Sequence, residues 1–398
     1  MSSSTLLTFL LFFSKYCTLT TSKPQRTFYT IDLDYRNGNY TTTVSVGTPG
    51  QAIEAVFSTT TKESIIPIFG CVNTNKIENC KTKKNVFDSK KSTSFKSTKG
   101  RFSNTFSGVE VKGNYGQDVV ELTYSNTPPT GPTHPIRFKT ATSTNVAQGI
   151  IALPLISTKK FVEQSSLIHN VINGSSAEAL FSVFMKKCDK AECSKSGRVT
   201  IGYKDTENCQ DQVAWYKLRP SARWSWKVSA DAVKVNGDVI KKKVTTGFDI
   251  MLDVIEMPRK LLKAFLDKIE YGEDKNGYTV PCDTKLNLEI QLKDDLYPIP
   301  QANLIKREGN ICRLLVRKVS GHKFILGRPW AISYCQTFDI NGRDYGISDV
   351  KAVTNSNNQK KKNTNKAKKD DKEEKEDKND DTPRRINPSG KNLDKMGF

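Results

Sequence analysis

From Tyr40 onward, apolar and polar residues alternate in short runs, and Gly, Asn, Ser and Pro break the runs. This period-two pattern with turn residues at its borders predicts a chain built mainly of short strands. Tyr40–Val46 is one such strand, followed by the turn Gly47-Thr48-Pro49-Gly50. Helical spacing of apolar residues is rare. Pro258–Ile269 shows it best, with Pro at the first turn, and Val162–Ile172 shows it less regularly. No heptad and no repeat with a period of 20–50 residues is present.

The two ends of the chain break this pattern. Leu6–Phe13 is apolar except for Thr8 and too short to span a bilayer. It reads as the core of a signal peptide over residues 1–20, although no Lys or Arg precedes it. At the other end, Asn355–Asp381 is mostly Lys, Asp, Glu and Asn. Such a segment has too little apolar surface to offset its ordering entropy, so residues 351–398 are expected to form a disordered charged tail.

Composition adds partners and compartment. The 398 residues suffice for one large two-lobed body or two domains. Hydrophobic content of 36% and a mean hydropathy of −0.53 are low, and the tail explains part of that. The formal charge is +20; the tail holds 14 Lys+Arg against 9 Asp+Glu, which leaves +15 on the rest. A basic surface points to anionic glycans, acidic proteins or membrane surfaces, or serves only solubility. Nucleic acid is not expected, because no recognisable binding module is present.

Nine cysteines leave eight once Cys17, in or beside the leader, is set aside. An even count behind a signal peptide points to disulfides. Eight cysteines allow 105 pairings, and arithmetic does not choose among them. Spacing offers Cys71 with Cys80 and Cys188 with Cys193 as short loops, with Cys282–Cys312 and Cys209–Cys335 as the long bridges. Metal binding is not expected: there is no paired C-x-x-C, and the three histidines lie far from the cysteines.

The stretch Val56-Phe-Ser-Thr-Thr-Thr-Lys-Glu-Ser-Ile-Ile-Pro67 resembles the first active-site loop of the pepsin-like aspartic peptidases. That loop reads as a hydrophobic pair, then Asp-Thr-Gly-Ser-Ser, then Pro nine residues after the Asp. Here Pro67 stands nine residues after Ser58, so Ser58 takes the place of the carboxylate, Thr59 of the threonine and Thr60 of the glycine. The resemblance continues in register from Tyr40 to Ser348. Asn104–Asp118 resembles the flap hairpin, with Phe106 at the flap tyrosine. Gln148–Leu153 and Ile325-Leu326-Gly327 resemble the two segments that cross under the active-site loops.

For the second loop, one alignment sets Thr245-Thr246-Gly247 on Asp-Thr-Gly. The other sets Asp249-Ile250-Met251 there, and keeps Pro258 nine residues after Asp249 as well as the spacing from Asn236-Gly237. The second is preferred. The resemblance implies an all-β, bilobal pepsin-like fold with a deep cleft. The N-terminal lobe would span 36–190 and the C-terminal lobe 197–350. It also implies no cofactor.

Hydrolysis in this family needs two carboxylates sharing one proton: one acts as general base on water, the other polarises the carbonyl. A serine hydroxyl does not replace the base without a neighbouring histidine. His134, His169 and His322 fall in segments that the family places away from the cleft. The dyad is therefore broken whether Asp249 or Thr245 holds the second position. The lead-in from Thr21 to Asn39 is shorter than the propeptide of active members, which fits a protein that does not cut itself. The expected function is a secreted, extracellular, monomeric pepsin-like protein that binds a peptide or protein in its cleft without catalysis. Its rivals are an aspartic endopeptidase with residual activity and a structural or decoy surface protein. Asn39-Tyr-Thr and Asn173-Gly-Ser are N-glycosylation sequons.

Overall fold

A computed structural model describes residues 27–73, 80, 85–106, 108–129, 134–145, 147–155, 166–221 and 225–352. The leader over residues 1–20, Cys17 and the tail beyond residue 352 lie outside them. Among the described residues the fold is all-β, with few short helices, as the alternating pattern requires.

Two lobes share one sheet. The 14-stranded sheet carries the strands of the first lobe and extends into the second through Leu180–Met185, Glu192–Ile201, Cys335–Asp339 and Asp344–Ser348. Strand Leu180–Met185 leaves the first lobe and pairs antiparallel with Cys335–Asp339, which sets Phe181 opposite Phe338. Those two rings stack with centroids 4.6 Å apart, and Trp226 meets Phe338 edge-on at 4.9 Å. The Trp226 Nε1–H donates to Leu153 O at 2.9 Å, so the indole is buried with its polar edge satisfied. The second lobe adds a seven-stranded and a four-stranded sheet.

The same local topology appears once in each lobe. In the first, Gln51–Ser58 runs parallel to Gly149–Ala152 with Ser58 opposite Ala152. In the second, Asp238–Phe248 runs parallel to Phe324–Leu326 with Phe248 opposite Leu326. These strands are buried where they end, and their apolar runs (Ala55-Val56-Phe57, Ile325-Leu326) suit central strands covered on both faces.

The helices differ in length from the sequence expectation. Arg259–Leu266 has Pro258 as its N-cap and buries Leu261, Leu262, Phe265 and Leu266. It ends before Ile269 because the chain tightens there: Lys268 N and Ile269 N donate to carbonyls three residues back. Leu167–Asn173 begins only after Ser166, whose Oγ accepts from His169 N at 3.3 Å, a capping contact that sequence periodicity did not register. Residues 156–165 lie outside the described set. All four cysteine pairs offered by spacing are formed: Cys71–Cys80, Cys188–Cys193, Cys209–Cys335 and Cys282–Cys312.

Candidate functional site

Each of the two crossing units delivers one loop to the junction of the lobes. Ser58 is the last residue of its strand, and Leu153 N donates to Ser58 O at 2.8 Å. Asp249 follows strand Asp238–Phe248 directly, and its N–H donates to Leu326 O at 3.0 Å. The loops meet through side chains. Ser58 Oγ donates to Asp249 Oδ1 at 3.2 Å, and Thr60 Oγ1 donates to Asp249 Oδ2 at 2.6 Å. Met251 N donates to Oδ1 at 3.2 Å. Both oxygens of this buried carboxylate thus face donors, as a buried charge requires.

Thr245 lies elsewhere. It sits four residues earlier on the strand, paired with Ser229, while Asp249 is the residue that meets Ser58. Thr59 Oγ1 donates to Phe248 O at 2.7 Å, a second link across the junction that lies within the buried interior. The corresponding residue of the other loop, Ile250, is apolar and buried, so this link is not reciprocated by a side chain of the same kind. Thr60 N also donates to Ser58 Oγ at 3.3 Å, which ties the first loop to itself.

Lys96–Phe106 and Val109–Asp118 pair as a hairpin. Phe106 and Met251 both pack against the cluster of Val56, Ile65, Val109, Val111, Ala141 and Ile150, so a hairpin residue and a residue of the Asp249 loop share one apolar patch. Gly108 has φ +77°, a backbone state that suits glycine, and lies against the Arg317 guanidinium. Arg317 Nη2 donates to the buried carboxylate of Glu256 at 2.8 Å. The hairpin tip therefore rests on a fixed cation of the second lobe.

Close to its tip the hairpin is also held by charges of its own lobe. Lys139 Nζ donates to Asn104 Oδ1 at 3.0 Å and lies 3.6 Å from Glu63, which Arg137 pairs at 2.7 Å. Burial lowers the Lys139 pKa from its ordinary value, and Glu63 offsets part of that.

Of the residues singled out in the sequence, Ser58 meets Asp249 and Thr59 meets Phe248, while Phe106 packs on the cluster that Met251 shares. Thr60, which stands at the glycine's place, also bonds Asp249 through its hydroxyl. Of the histidines, His169 pairs with Asn173, and the His134 carbonyl accepts from Asn170, all in or beside the helix Leu167–Asn173. His322 is exposed in a turn. Among the described residues no group of three His, Cys, Asp or Glu is arranged to hold a metal ion.

Two lobes on a shared sheet, each with a strand crossing under a loop and the two loops touching over the junction, define the bilobal pepsin-like fold. Residues 39–350 match the model of the eukaryotic aspartyl protease family, and the chain belongs to that family. Among its relatives, Aspartic protease 2 of Necator americanus is 20% identical over 80% of this chain and 85% of its own length. Aspartic protease 6 of Caenorhabditis elegans is 24% identical over 79% of this chain and 82% of its own. Pepsin A of Bos taurus is 23% identical over 80% and 86%.

Proposed function

We propose that this chain is a secreted pepsin-fold protein that binds a peptide or protein segment in its cleft and does not hydrolyse it. One observation carries the reading: the Asp249 carboxylate meets the hydroxyls of Ser58 and Thr60, where two-carboxylate hydrolysis requires a second acid. A hydroxyl pKa lies far above the operating range of a general base, and the three histidines lie in other segments: His134 and His169 with the helix Leu167–Asn173, and His322 in an exposed turn. Four disulfides and the apolar leader support secretion. The net charge of +20 supports anionic partners at the surface. Of the two sequons, Asn173 is exposed at a helix end and Asn39 is half-buried in a strand, which favours Asn173 as the glycan site.

The test is incubation of the pure protein with unfolded haemoglobin from acidic to neutral pH. No cleavage is expected. Pepstatin-sensitive cleavage overturns the reading in favour of a residual endopeptidase.

A second reading, a structural or decoy surface protein whose cleft is filled from within, draws on the packing of Phe106 and Met251 on one patch and of Gly108 on Arg317. Capture of peptides from a random library separates the two: a binder retains a consensus, and a filled cleft retains none.

A further inference from the structure

A cavity of roughly 840 Å³ opens where the lobes meet, within the size range of small-ligand sites. Tyr35, Gly38 and Tyr40 line it from the first lobe, and the segment Lys187–Lys190 lines it from the connection between lobes. Five cations reach it: Lys187, Lys190, Lys306, Arg307 and Arg328. Two carboxylates oppose them, Asp189 and Asp253. Several of the cations are already engaged at the rim. Lys187 pairs with Asp189 at 3.2 Å, and Lys306 pairs with Glu308 at 2.9 Å.

Arg328 is different. It is buried, 8% exposed, and stands where the second crossing strand Phe324–Leu326 and Gly327 give way to a short helix. Its Nη1 donates to Gly38 O, and its Nε has no hydrogen-bond partner. Its nearest carboxylate, Asp253, lies 4.0 Å away and is itself 63% exposed at the side chain. The Tyr40 ring, 5.9 Å off, adds only a weak attraction. A buried guanidinium normally has a close counter-ion and its five donors matched; this one has neither. Burial lowers the Arg328 pKa from its ordinary value, and Asp253, Tyr40, Tyr35 and Asp249 offset part of that.

Arg328 links the cavity to the loop that carries Asp249. Arg328 N donates to Leu252 O at 2.7 Å, and Leu252 stands three residues beyond Asp249. Asp249 itself lies close enough to act on the Arg328 charge. One planar carboxylate suits a single recessed guanidinium, whose donors match it in pairs. An extended polyanion instead suits a row of exposed, uncommitted cations, and at this rim Lys187 and Lys306 are spent on Asp189 and Glu308. We propose that the cavity takes an Asp or Glu side chain of the bound peptide, with Arg328 as its anchor. This rests on the peptide-binding reading above.

Two fluorescein-labelled pools of random decapeptides test it by fluorescence polarisation, one containing Asp and Glu, the other with Asn and Gln in their place. The wild-type protein should bind the acidic pool about tenfold more tightly. Arg328→Met should erase that preference. Should Arg328→Met fail to fold, Lys190→Gln combined with Arg307→Gln, both exposed, should leave most of the preference in place, and its loss in that variant overturns Arg328 as the anchor. As a probe independent of peptides, N-acetylglutamate should raise the melting temperature of the wild type and not that of Arg328→Met. Equal binding of both pools, or a preference that survives Arg328→Met, overturns the acidic anchor and leaves the peptide reading standing. If neither pool binds while N-acetylglutamate still stabilises the wild type alone, the peptide reading falls and the carboxylate pocket stands. If nothing binds, both fall.

Discussion

The two lobes present the same strand crossing and the same Pro nine residues beyond the key position, yet they deliver opposite chemistry. The first brings Ser58, Thr59 and Thr60, three hydroxyls; the second brings Asp249, Ile250 and Met251, one carboxylate between apolar residues. One loop donates and the other accepts, and the contacts run accordingly: Ser58 and Thr60 to Asp249, and Thr59 to Phe248 O. A pair of matched acids would share a proton across this junction; here it is a donor–acceptor clasp. The lesson is that the scaffold which aims two groups at one point is separable from the groups it aims.

The lobes also differ in how they are closed. Cys209–Cys335 spans 126 residues of the second lobe, whereas Cys71–Cys80 spans 9 of the first. Chain-entropy reasoning assigns the long bridge about 4–5 kcal/mol and the short one roughly 2–3 kcal/mol. The double substitution Cys209→Ala, Cys335→Ala should therefore lower unfolding free energy in denaturant more than Cys71→Ala, Cys80→Ala. Equal losses would mean that loop length does not set the difference between lobes.

The next largest effect is chemical. Ser58→Asp with Thr60→Gly replaces donors by a second acid and removes the β-branched side chain beside it. Haemoglobin cleavage at acid pH should rise by about 10² or more over the parent, the scale of one general acid–base group. Adding Thr245→Asp should contribute nothing further. Activity that appears only with Thr245→Asp would overturn the pairing of Asp249 with position 58.

How much of this was legible in the sequence follows from the range of each interaction. The Ser58–Pro67 and Asp249–Pro258 spacings are local, so they aligned the first loop and favoured Asp249 over Thr245 for the second, and Asp249 is the residue that meets Ser58. The alternating runs predicted strands for the same reason. By contrast, the Thr60–Asp249 bond joins residues 189 apart, and Arg328 reaches Gly38 across 290. Neither partner carries a local signal of the other, and only the approach of the two different sheets that carry the crossing units brings them together. The burial of Arg328 was invisible because an arginine after Leu-Gly reads as a surface residue until the cavity around it exists.

A smaller effect isolates the unreciprocated link. Thr59→Val removes the hydroxyl that Phe248 O accepts and leaves a buried carbonyl without that partner. The cost should be about 1–3 kcal/mol in a denaturant melt. A loss well under 1 kcal/mol would mean that the two loops hold their approach through packing and the Asp249 contacts alone.

The smallest expected effect concerns pH and tests the clasp directly. Two facing carboxylates repel when both are ionised, so a paired site gains stability as acid protonates one of them. This junction has one carboxylate facing hydroxyls, and no such gain is expected. Elsewhere the second lobe loses stability in acid. Asp274 is held below its ordinary pKa chiefly by its hydrogen bond from Arg313, and Glu308 is held low by Lys306 and Arg313. Groups with depressed folded pKa contribute stability that is complete above their unfolded values and fades as pH falls through the folded ones. Both are exposed, so the loss is slight and confined to pH below about 4. The melting temperature at pH 4 should therefore equal or fall just below that at pH 7. A melt markedly higher at pH 4 would reveal a second acid beside Asp249, and with it the matched pair that the donor–acceptor clasp denies.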